Sequence, residues 1–212
     1  MKKVILLGII LFTLSATVFA QDEELGKNEW SVWGGFSPDS NTAIKATGRT
    51  PDARFGIVAI RYARRFNFSD SFNVKYTADV VPFSLTSSPD FTTIGLTCTT
   101  CPQAIVPTRP TRYGFGGSPL GGQMNFRPKK KYQPFIGASG GMLYMNDRTP
   151  TIGGTKFQWT ADIGAGLEVR LKDKKAFTLG YKYYHVSNGG RGNNNPGFDH
   201  NLFYIGYTFF SN

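Results

Sequence analysis

The sequence has few charged residues, almost no cysteine and no long apolar segment beyond its N-terminus. Of its 212 residues, 18% are charged and two are cysteines. After the first 20 residues no apolar run approaches the ~20 residues that a membrane-spanning helix needs, which excludes a helical membrane protein. The chain instead has 15% aromatic residues and 25 glycines. This composition excludes a disordered, acidic or collagen-like chain and suits a single β-rich domain.

The one long apolar run opens the chain and has the form of an export signal. Lys2 and Lys3 precede an apolar stretch that ends in the small-residue exit Val18-Phe19-Ala20. This arrangement predicts a secretory signal peptide over residues 1–20. Its removal takes away two lysines and no acidic residue, so the net charge falls from +10 to +8. A membrane anchor is disfavoured because the run is short, and a lipoprotein because no cysteine stands at the cleavage point.

The two cysteines, Cys98 and Cys101, are separated by two residues. Because an exported protein meets oxidising conditions, a local disulfide is the simplest interpretation. A metal site needs more ligands than two sulfurs, and a redox Cys-x-x-Cys motif lies beside a βαβ pattern, which this sequence lacks. No carboxylate cluster accompanies His185 or His200, the only histidines, so neither a metal ion nor another cofactor is expected.

Apolar and polar residues alternate with a period of two, which is the pattern of β-strands. The clearest examples are residues 157–169, where apolar side chains occupy the odd positions, and residues 72–80, where they occupy the even ones. No segment shows the 3.6-residue period of a helix. With six weaker segments, the sequence predicts eight strands at 29–37, 54–66, 72–80, 112–126, 132–145, 157–169, 175–187 and 199–210.

The connections between the predicted strands alternate strictly in length. Short turns at 67–71, 127–131 and 171–174 alternate with longer loops at 38–53, 86–111, 146–155 and 188–198. This alternation is typical of outer-membrane barrels, whose periplasmic turns are short and whose external loops are long. The sequence therefore predicts an all-β fold: an eight-stranded antiparallel transmembrane β-barrel in the outer membrane of a Gram-negative bacterium, with both termini periplasmic. The predicted organisation is a signal peptide at 1–20, an N-terminal lead at 21–28 and the barrel domain at 29–212.

The strand alternation also predicts which side chains face the interior. In a barrel of this size, polar groups point inward and apolar groups meet lipid. Four charged side chains fall on the inward rows and need partners there: Lys75, Asp79, Asp162 and Glu168. We expect them to form a buried ionic network without a catalytic role.

Polar residues interrupt the lipid-facing rows of the last predicted hairpin. His185 and Ser187 continue the apolar row of one strand, and Asp199 extends that of the next. A polar group facing lipid is costly, so we interpret the three as functional, unless they lie above the bilayer and are merely solvated. A serine, a histidine and a carboxylate are the nucleophile, base and orienting acid of acyl transfer. The spacing of two residues places His185 and Ser187 about 6–7 Å apart at Cα on one face.

The same residues carry a resemblance to a known family. His-Val-Ser-Asn-Gly-Gly at 185–190, followed by Asn-Pro-Gly-Phe-Asp at 195–199, resembles the lipid A 3-O-deacylases, the PagL-type acyloxyacyl hydrolases. Weaker similarity at 113–121 and 164–168 extends the resemblance over roughly residues 110–210. The resemblance implies an outer-membrane esterase that removes the acyl chain at position 3 of lipid A.

Residue by residue, the resemblance assigns a catalytic triad. Ser187 matches the family's nucleophile and His185 its base. Asp199 falls at the acidic position, which is Glu in the best-known member, so the acidic arm here is one methylene shorter.

The resemblance also assigns an oxyanion hole. Asn195 matches the side-chain donor, and the backbone N–H of Gly189 or Gly190 is the second donor, with Asn188 as a supporting residue. From the residues alone, Asn195 is equally interpreted as a turn residue before proline.

The expected partners are the lipid A part of lipopolysaccharide, as substrate, and other outer-membrane lipids. Arg148 and Arg191 lie in or beside external loops and are candidates for contact with lipid A phosphates. The basic run 127–131 falls on the periplasmic side and is expected to have no part in catalysis. A nucleic-acid partner is excluded for an exported barrel, and a homodimer is left open. The alternatives are a non-catalytic structural or adhesive barrel and a phospholipid esterase of the same fold.

Overall fold

The computed structural model describes residues 26–40, 50–67, 69–94, 104–192 and 197–211, and these residues fold into β-strands. Among them, no helix is long and apolar enough to cross a membrane. The strands are β1 (Asn28–Ser37), β2 (Arg54–Arg65), β3 (Phe72–Ser87), β4 (Asp90–Ile94), β5 (Ala104–Thr108), β6 (Thr111–Phe126), β7 (Tyr132–Thr149), β8 (Thr155–Arg170), β9 (Lys175–Ser187) and β10 (Phe198–Ser211).

Eight of the strands close into an antiparallel barrel, which confirms the predicted fold. Around the barrel the order is β1-β10-β9-β8-β7-β6-β3-β2, so that β1 and β10 close the sheet. We call the end with the three short turns, the start of β1 and the end of β10 the turn end, and the opposite end the loop end. The long segment 86–111, expected to be a loop, instead contains the hairpin of β4 and β5, which continues β3 and β6 beyond the barrel.

The predicted alternation between inward and outward side chains is found in the strands where it was clearest. In β3, Lys75 and Asp79 are buried while Val80 is exposed, and in β8, Asp162 is buried while Trp159 is exposed. Register shifts in β3 and β6 exchange the inward and outward rows partway along these strands. A strict period of two therefore holds only between the shifts.

The interior at the turn end is filled by charged side chains that pair with one another. The Lys75 Nζ donates to Glu29 Oε2 at 2.7 Å and to Glu168 Oε2 at 3.2 Å. The Arg65 Nη2 donates to Glu29 Oε1 at 2.6 Å, and Arg170 Nε lies 3.1 Å from Glu168 Oε1. The predicted ionic network is therefore present, and its members include Glu29, Arg65 and Arg170, which the sequence did not indicate.

A second set of charges lies nearer the middle of the barrel. The Arg61 guanidinium donates to both carboxylate oxygens of Asp79, at 2.7 Å and 2.8 Å. The Lys182 Nζ lies 2.9 Å from Asp162 Oδ1 and 4.8 Å from the ring centroid of Trp33. Asp79 and Asp162 thus each have a cationic partner.

Much of the interior at the loop end is an apolar cluster, which differs from the expectation that polar groups fill the whole barrel, although a buried ion pair of Arg112 and Asp90 lies at the same end. The ring of Phe55 stacks on that of Tyr184, with centroids 5.3 Å apart, and on that of His200, with centroids 4.9 Å apart. Phe198 and Leu202 from β10 are buried in the same cluster. These side chains pack directly behind the strand segments that carry His185 and Asp199.

Candidate active site

His185 and Asp199 face each other across the pair formed by β9 and β10. The His185 Nδ1 lies 2.6 Å from Asp199 Oδ1. An ionised carboxylate only accepts hydrogen bonds, so in the neutral imidazole the tautomer that fits this contact has its N–H at Nδ1, donating a hydrogen bond to Asp199. The Nε2 atom of His185 is then an acceptor, which is the state that a general base requires.

Ser187 follows His185 on the same outward row of β9, and both side chains lie close to Gly197 at the start of β10. A Cβ atom built on Gly197 would be 3.6 Å from His185 Cε1 and 3.6 Å from Ser187 Cβ. Gly197 also has φ +52°, in the left-handed region that favours glycine. The structure therefore brings Ser187, His185 and Asp199 together on the outer face at the loop end.

The surroundings of Asp199 differ from the expectation of a residue that simply projects outward. Its side chain is 1% exposed, whereas that of His185 is 22% exposed. The pairing of β1 with β10 ends at Phe36 and Phe203, so Asp199 lies beyond the end of β1. The backbone N–H of Thr50 donates to the carbonyl of Gly197 at 3.2 Å and occupies this edge of β10 instead.

A buried serine holds the segment that carries Thr50. The Ser40 Oγ donates to the Thr50 carbonyl at 2.6 Å and accepts from the Ala53 N–H at 2.9 Å. These bonds join both ends of the loop between β1 and β2 and extend, through Thr50, to Gly197. The periodicity of the sequence gave no signal for Ser40 or Thr50, because both lie outside the strands.

The glycines proposed for the oxyanion hole follow Asn188, the first residue after β9. Gly189 has φ +65° and Gly190 φ +78°, conformations that a larger residue adopts only with strain. The Gly190 N–H donates to the side-chain Oδ1 of buried Asn188 at 3.1 Å. Asn188 thus supports the turn, and the N–H of Gly190 is already engaged. The remaining candidate for the backbone donor is the N–H of Gly189.

Of the two arginines considered for phosphate contact, Arg191 lies beside the site. Its guanidinium carbon is 5.8 Å from the ring centroid of Phe157 and 5.9 Å from that of Trp159. Trp159 is the register partner of Ser187 on β8. Arg148 lies near the end of β7, where its Nη1 donates to the carbonyl of Ile152 at 3.4 Å.

A polar pair on the outward wall escaped the assignment from sequence. The Tyr181 hydroxyl donates to Asn201 Oδ1 at 2.5 Å. Asn201 is the next outward residue after Asp199 on β10, and its interruption of the apolar row was the one available signal.

Three of the residues singled out in the sequence lie outside the described residues. These are Asn195, Cys98 and Cys101, so the side-chain oxyanion donor and the disulfide stay predictions. Within the described ranges, no group of three or more His, Cys, Asp or Glu side chains is arranged to hold a metal ion.

Comparison with known proteins decides the family. The family model described as lipid A 3-O-deacylase (PagL) matches residues 72–208, a span that contains Ser187, His185 and Asp199. The chain belongs to this family. The predicted family is thereby confirmed, and membership together with the closed barrel makes the protein a lipid A deacylase of the outer membrane.

A solved structure of the outer membrane enzyme PagL shows the same fold. The crystal structure of the outer membrane enzyme PagL has 12% sequence identity and a TM-score of 0.55, over 84% of this chain and 98% of that one. The crystal structure of Neisserial surface protein A has 11% identity and a TM-score of 0.48, over 88% of this chain and 99% of that one. No curated protein matches the chain. None of these comparisons supports a homodimer, which stays untested.

Proposed function

We propose that this protein is a serine esterase that removes the acyl chain ester-linked at position 3 of lipid A through an acyl-enzyme. The observation that carries the proposal is the 2.6 Å contact of His185 with buried Asp199, on the outward row that also bears Ser187. A carboxylate this deeply buried is costly unless it is paired. A histidine that is oriented on one nitrogen and leaves the other as an acceptor is suited to general-base catalysis.

In the proposed reaction, Ser187 Oγ attacks the ester carbonyl carbon while its proton passes to His185 Nε2. The tetrahedral intermediate collapses as the bond to the sugar oxygen breaks and His185 returns the proton to that oxygen. Water then attacks the acyl-enzyme, again giving a proton to His185, and the carboxylic acid leaves as Ser187 is reprotonated. Asp199 keeps the imidazole oriented and stabilises its charged form.

The developing oxyanion needs hydrogen-bond donors at the site of attack. We assign this role to the N–H of Gly189 and to the Asn195 side chain. One such donor contributes about 2.7–4 kcal/mol to transition-state stabilisation in serine hydrolases.

The outer location of the site suits a substrate that stays in the membrane. Beside Ser187 and below it, the exposed wall of the barrel is apolar and aromatic and includes Trp159, Ile163 and Phe203. The acyl chain of lipid A lies along this wall in our proposal, while the Arg191 guanidinium contacts a lipid A phosphate. The site then faces the outer leaflet, and both chain termini are periplasmic.

The test compares wild type, Ser187→Ala and the control Ser71→Ala in cells that make lipid A with 3-hydroxyacyl chains. Ser71 is an exposed serine in the turn between β2 and β3 at the opposite end of the barrel. Mass spectra of lipid A should lack one 3-hydroxyacyl chain with wild type and with Ser71→Ala. With Ser187→Ala the spectra should match those of cells without the protein and keep every 3-hydroxyacyl chain, since loss of a nucleophile lowers kcat by roughly 10⁴-fold or more.

Heat-modifiable mobility on gels reports whether each variant forms the barrel. A folded Ser187→Ala that still deacylates lipid A would exclude the serine mechanism. Loss of a chain from another position would correct the ester assignment. Cleavage of added phospholipid without cleavage of lipid A would favour a phospholipid esterase of the same fold.

A further inference from the structure

The turn end carries a concentration of positive charge that the esterase reaction does not use. In the described residues of the three turns, the cations are Arg127, Lys129, Lys130, Lys131, Lys172 and Lys174, and the acids are Asp70 and Asp173. We call these six cations the basic rim. They stand at the end of the barrel away from His185 and Asp199.

Backbone hydrogen bonds and an ion pair connect the β6–β7 and β8–β9 turns, which bear the basic rim, and the β2–β3 turn. The backbone N–H of Arg170, the last residue of β8, donates to the Lys131 carbonyl in the β6–β7 turn at 2.8 Å. The Arg127 N–H donates to the Ser71 carbonyl at 2.9 Å, and Lys129 pairs with Asp70 at 2.7 Å. The charges are therefore held near one another along the rim.

The basic rim lies directly next to aromatic residues that face outward. Phe126 and Tyr132 flank the β6–β7 turn, and both are exposed. The Lys131 Nζ is 5.7 Å from the ring centroid of Tyr132. Exposed aromatic rings of membrane proteins concentrate at the level of the lipid head groups. Turn side chains one residue beyond these rings, further from the middle of the barrel, then lie at the level of the lipid phosphates.

We propose that the basic rim binds the head groups of anionic phospholipids in the leaflet at the turn end. Basic residues at a membrane surface attract anionic lipids within about a Debye length, and the attraction weakens with salt. A net positive turn surface bordered by aromatic rings matches a phosphate layer beside an apolar core. This binding is separate from the ester hydrolysis at the loop end, and either proposal stands if the other fails.

A tryptophan placed beside the basic rim reports the lipids that contact it. The reporter is Tyr132→Trp in a background with Trp30→Phe and Trp159→Phe, because Trp33 is then the only other tryptophan and is buried inside the barrel. The protein is reconstituted into phosphatidylcholine vesicles that contain brominated phosphatidylglycerol or brominated phosphatidylcholine. Quenching against mole fraction gives the relative affinity of the two lipids.

We expect phosphatidylglycerol to be preferred about fivefold at low salt, which is the ratio for one lysine contact with each lipid beside the reporter. Lys130→Gln with Lys131→Gln should bring the ratio close to one. The matched control, Arg54→Gln with Lys156→Gln, removes two exposed cations at the loop end and should keep the preference. High salt should lower the preference for phosphatidylglycerol in the reporter protein that keeps all of its cations. Equal quenching by the two lipids would overturn the proposal, as would equal losses in both double variants, which would indicate a net-charge effect.

Discussion

The two ends of the barrel interior are built by the same strands but differ in their main contacts. Among the described residues, the loop-end interior has a large apolar cluster and the single ion pair of Arg112 with Asp90. At the turn end, Glu29, Lys75 and Glu168 form part of a chain of buried ion pairs. At the loop end, Phe55 and Tyr184 belong to an apolar cluster. Buried ion pairs add little net stability but penalise any arrangement that separates the partners. Apolar packing stabilises in proportion to the area that is buried. The comparison indicates that the turn end specifies the strand register, while the loop end supports the site.

The support of the site follows from the alternation of side chains. Tyr184 and Val186, on either side of His185, point inward and are buried, as are Phe198 and His200 on either side of Asp199. The two strand segments are therefore held from within by packing while their intervening side chains meet on the outer face. Rigid positioning of this kind is what a triad requires.

The largest effect that separates the two ends is expected from Lys75→Met. The change leaves the carboxylates of Glu29 and Glu168 near each other without the cation between them. Removing one partner of a buried ionic group costs about 3–5 kcal/mol of unfolding free energy. Urea unfolding in detergent micelles measures the loss, and activity per folded molecule should be unchanged because the site lies at the other end.

The control for this prediction is Lys156→Met, a lysine that is exposed near the start of β8. Its unfolding free energy should change by less than about 0.5 kcal/mol, as for other surface substitutions. Equal stability of Lys75→Met and wild type would mean that the ionic network does not stabilise the barrel. Loss of activity in the folded Lys75→Met protein would mean that the two ends are coupled.

The same comparison explains what the sequence could predict. A period of two places Lys75 and Asp162 inside wherever the strand is regular, so the existence of the ionic network followed from the pattern. Its partners could not be predicted, because Glu29 meets Lys75 across strands that are 46 residues apart in the chain. The register of distant strands depends on closure of the whole barrel and on irregularities such as the shift between Val58 and Ile60.

The site was predictable to a similar extent. The interrupted apolar rows drew attention to His185, Ser187 and Asp199, because polar side chains are costly in a row that faces lipid. The burial of Asp199 was not predictable, because it depends on where β1 stops and on which loop segment then lies beside β10. The apolar cluster at the loop end was also missed, since an inward row of Tyr184 and Val186 is indistinguishable in sequence from a lipid-facing one.

An intermediate effect on the loop end is expected from Ser40→Ala. The change leaves the Thr50 carbonyl and the Ala53 N–H without their hydroxyl partner, so the bond from Thr50 to Gly197 loses its support. An unsatisfied buried group costs about 1–3 kcal/mol, and we expect kcat to fall about tenfold with little change in KM. Ser40→Thr should restore kcat, because it keeps the hydroxyl.

Two comparisons make the Ser40 prediction specific. If Ser40 acts through the placement of Asp199, its effect on kcat should largely vanish in an Asp199→Asn background. The matched control is Ser88→Ala: the Ser88 Oγ donates to the Pro150 carbonyl at 2.9 Å and accepts from Arg112 Nη1 at 3.3 Å, away from β10. An equal loss of kcat in Ser88→Ala would show that any loosened loop slows the reaction.

The smallest effect, and the one of opposite sign, is expected from His200→Phe within the apolar cluster. His200 stacks on Phe55 with an interplanar angle of 17°, and neither of its ring nitrogens has a hydrogen-bond partner among the described residues. Phe keeps an aromatic ring there and removes two buried polar atoms, so the unfolding free energy should rise by about 1 kcal/mol. Denaturant unfolding measures this change. His200→Ala is the comparison and should be destabilised, because it leaves a cavity in place of the ring. Destabilisation by Phe as well would mean that the ring nitrogens are bonded in the native state. The apolar cluster would then contain a hydrogen-bonded polar ring, and the contrast between the two ends of the interior would be weaker than the packing indicates.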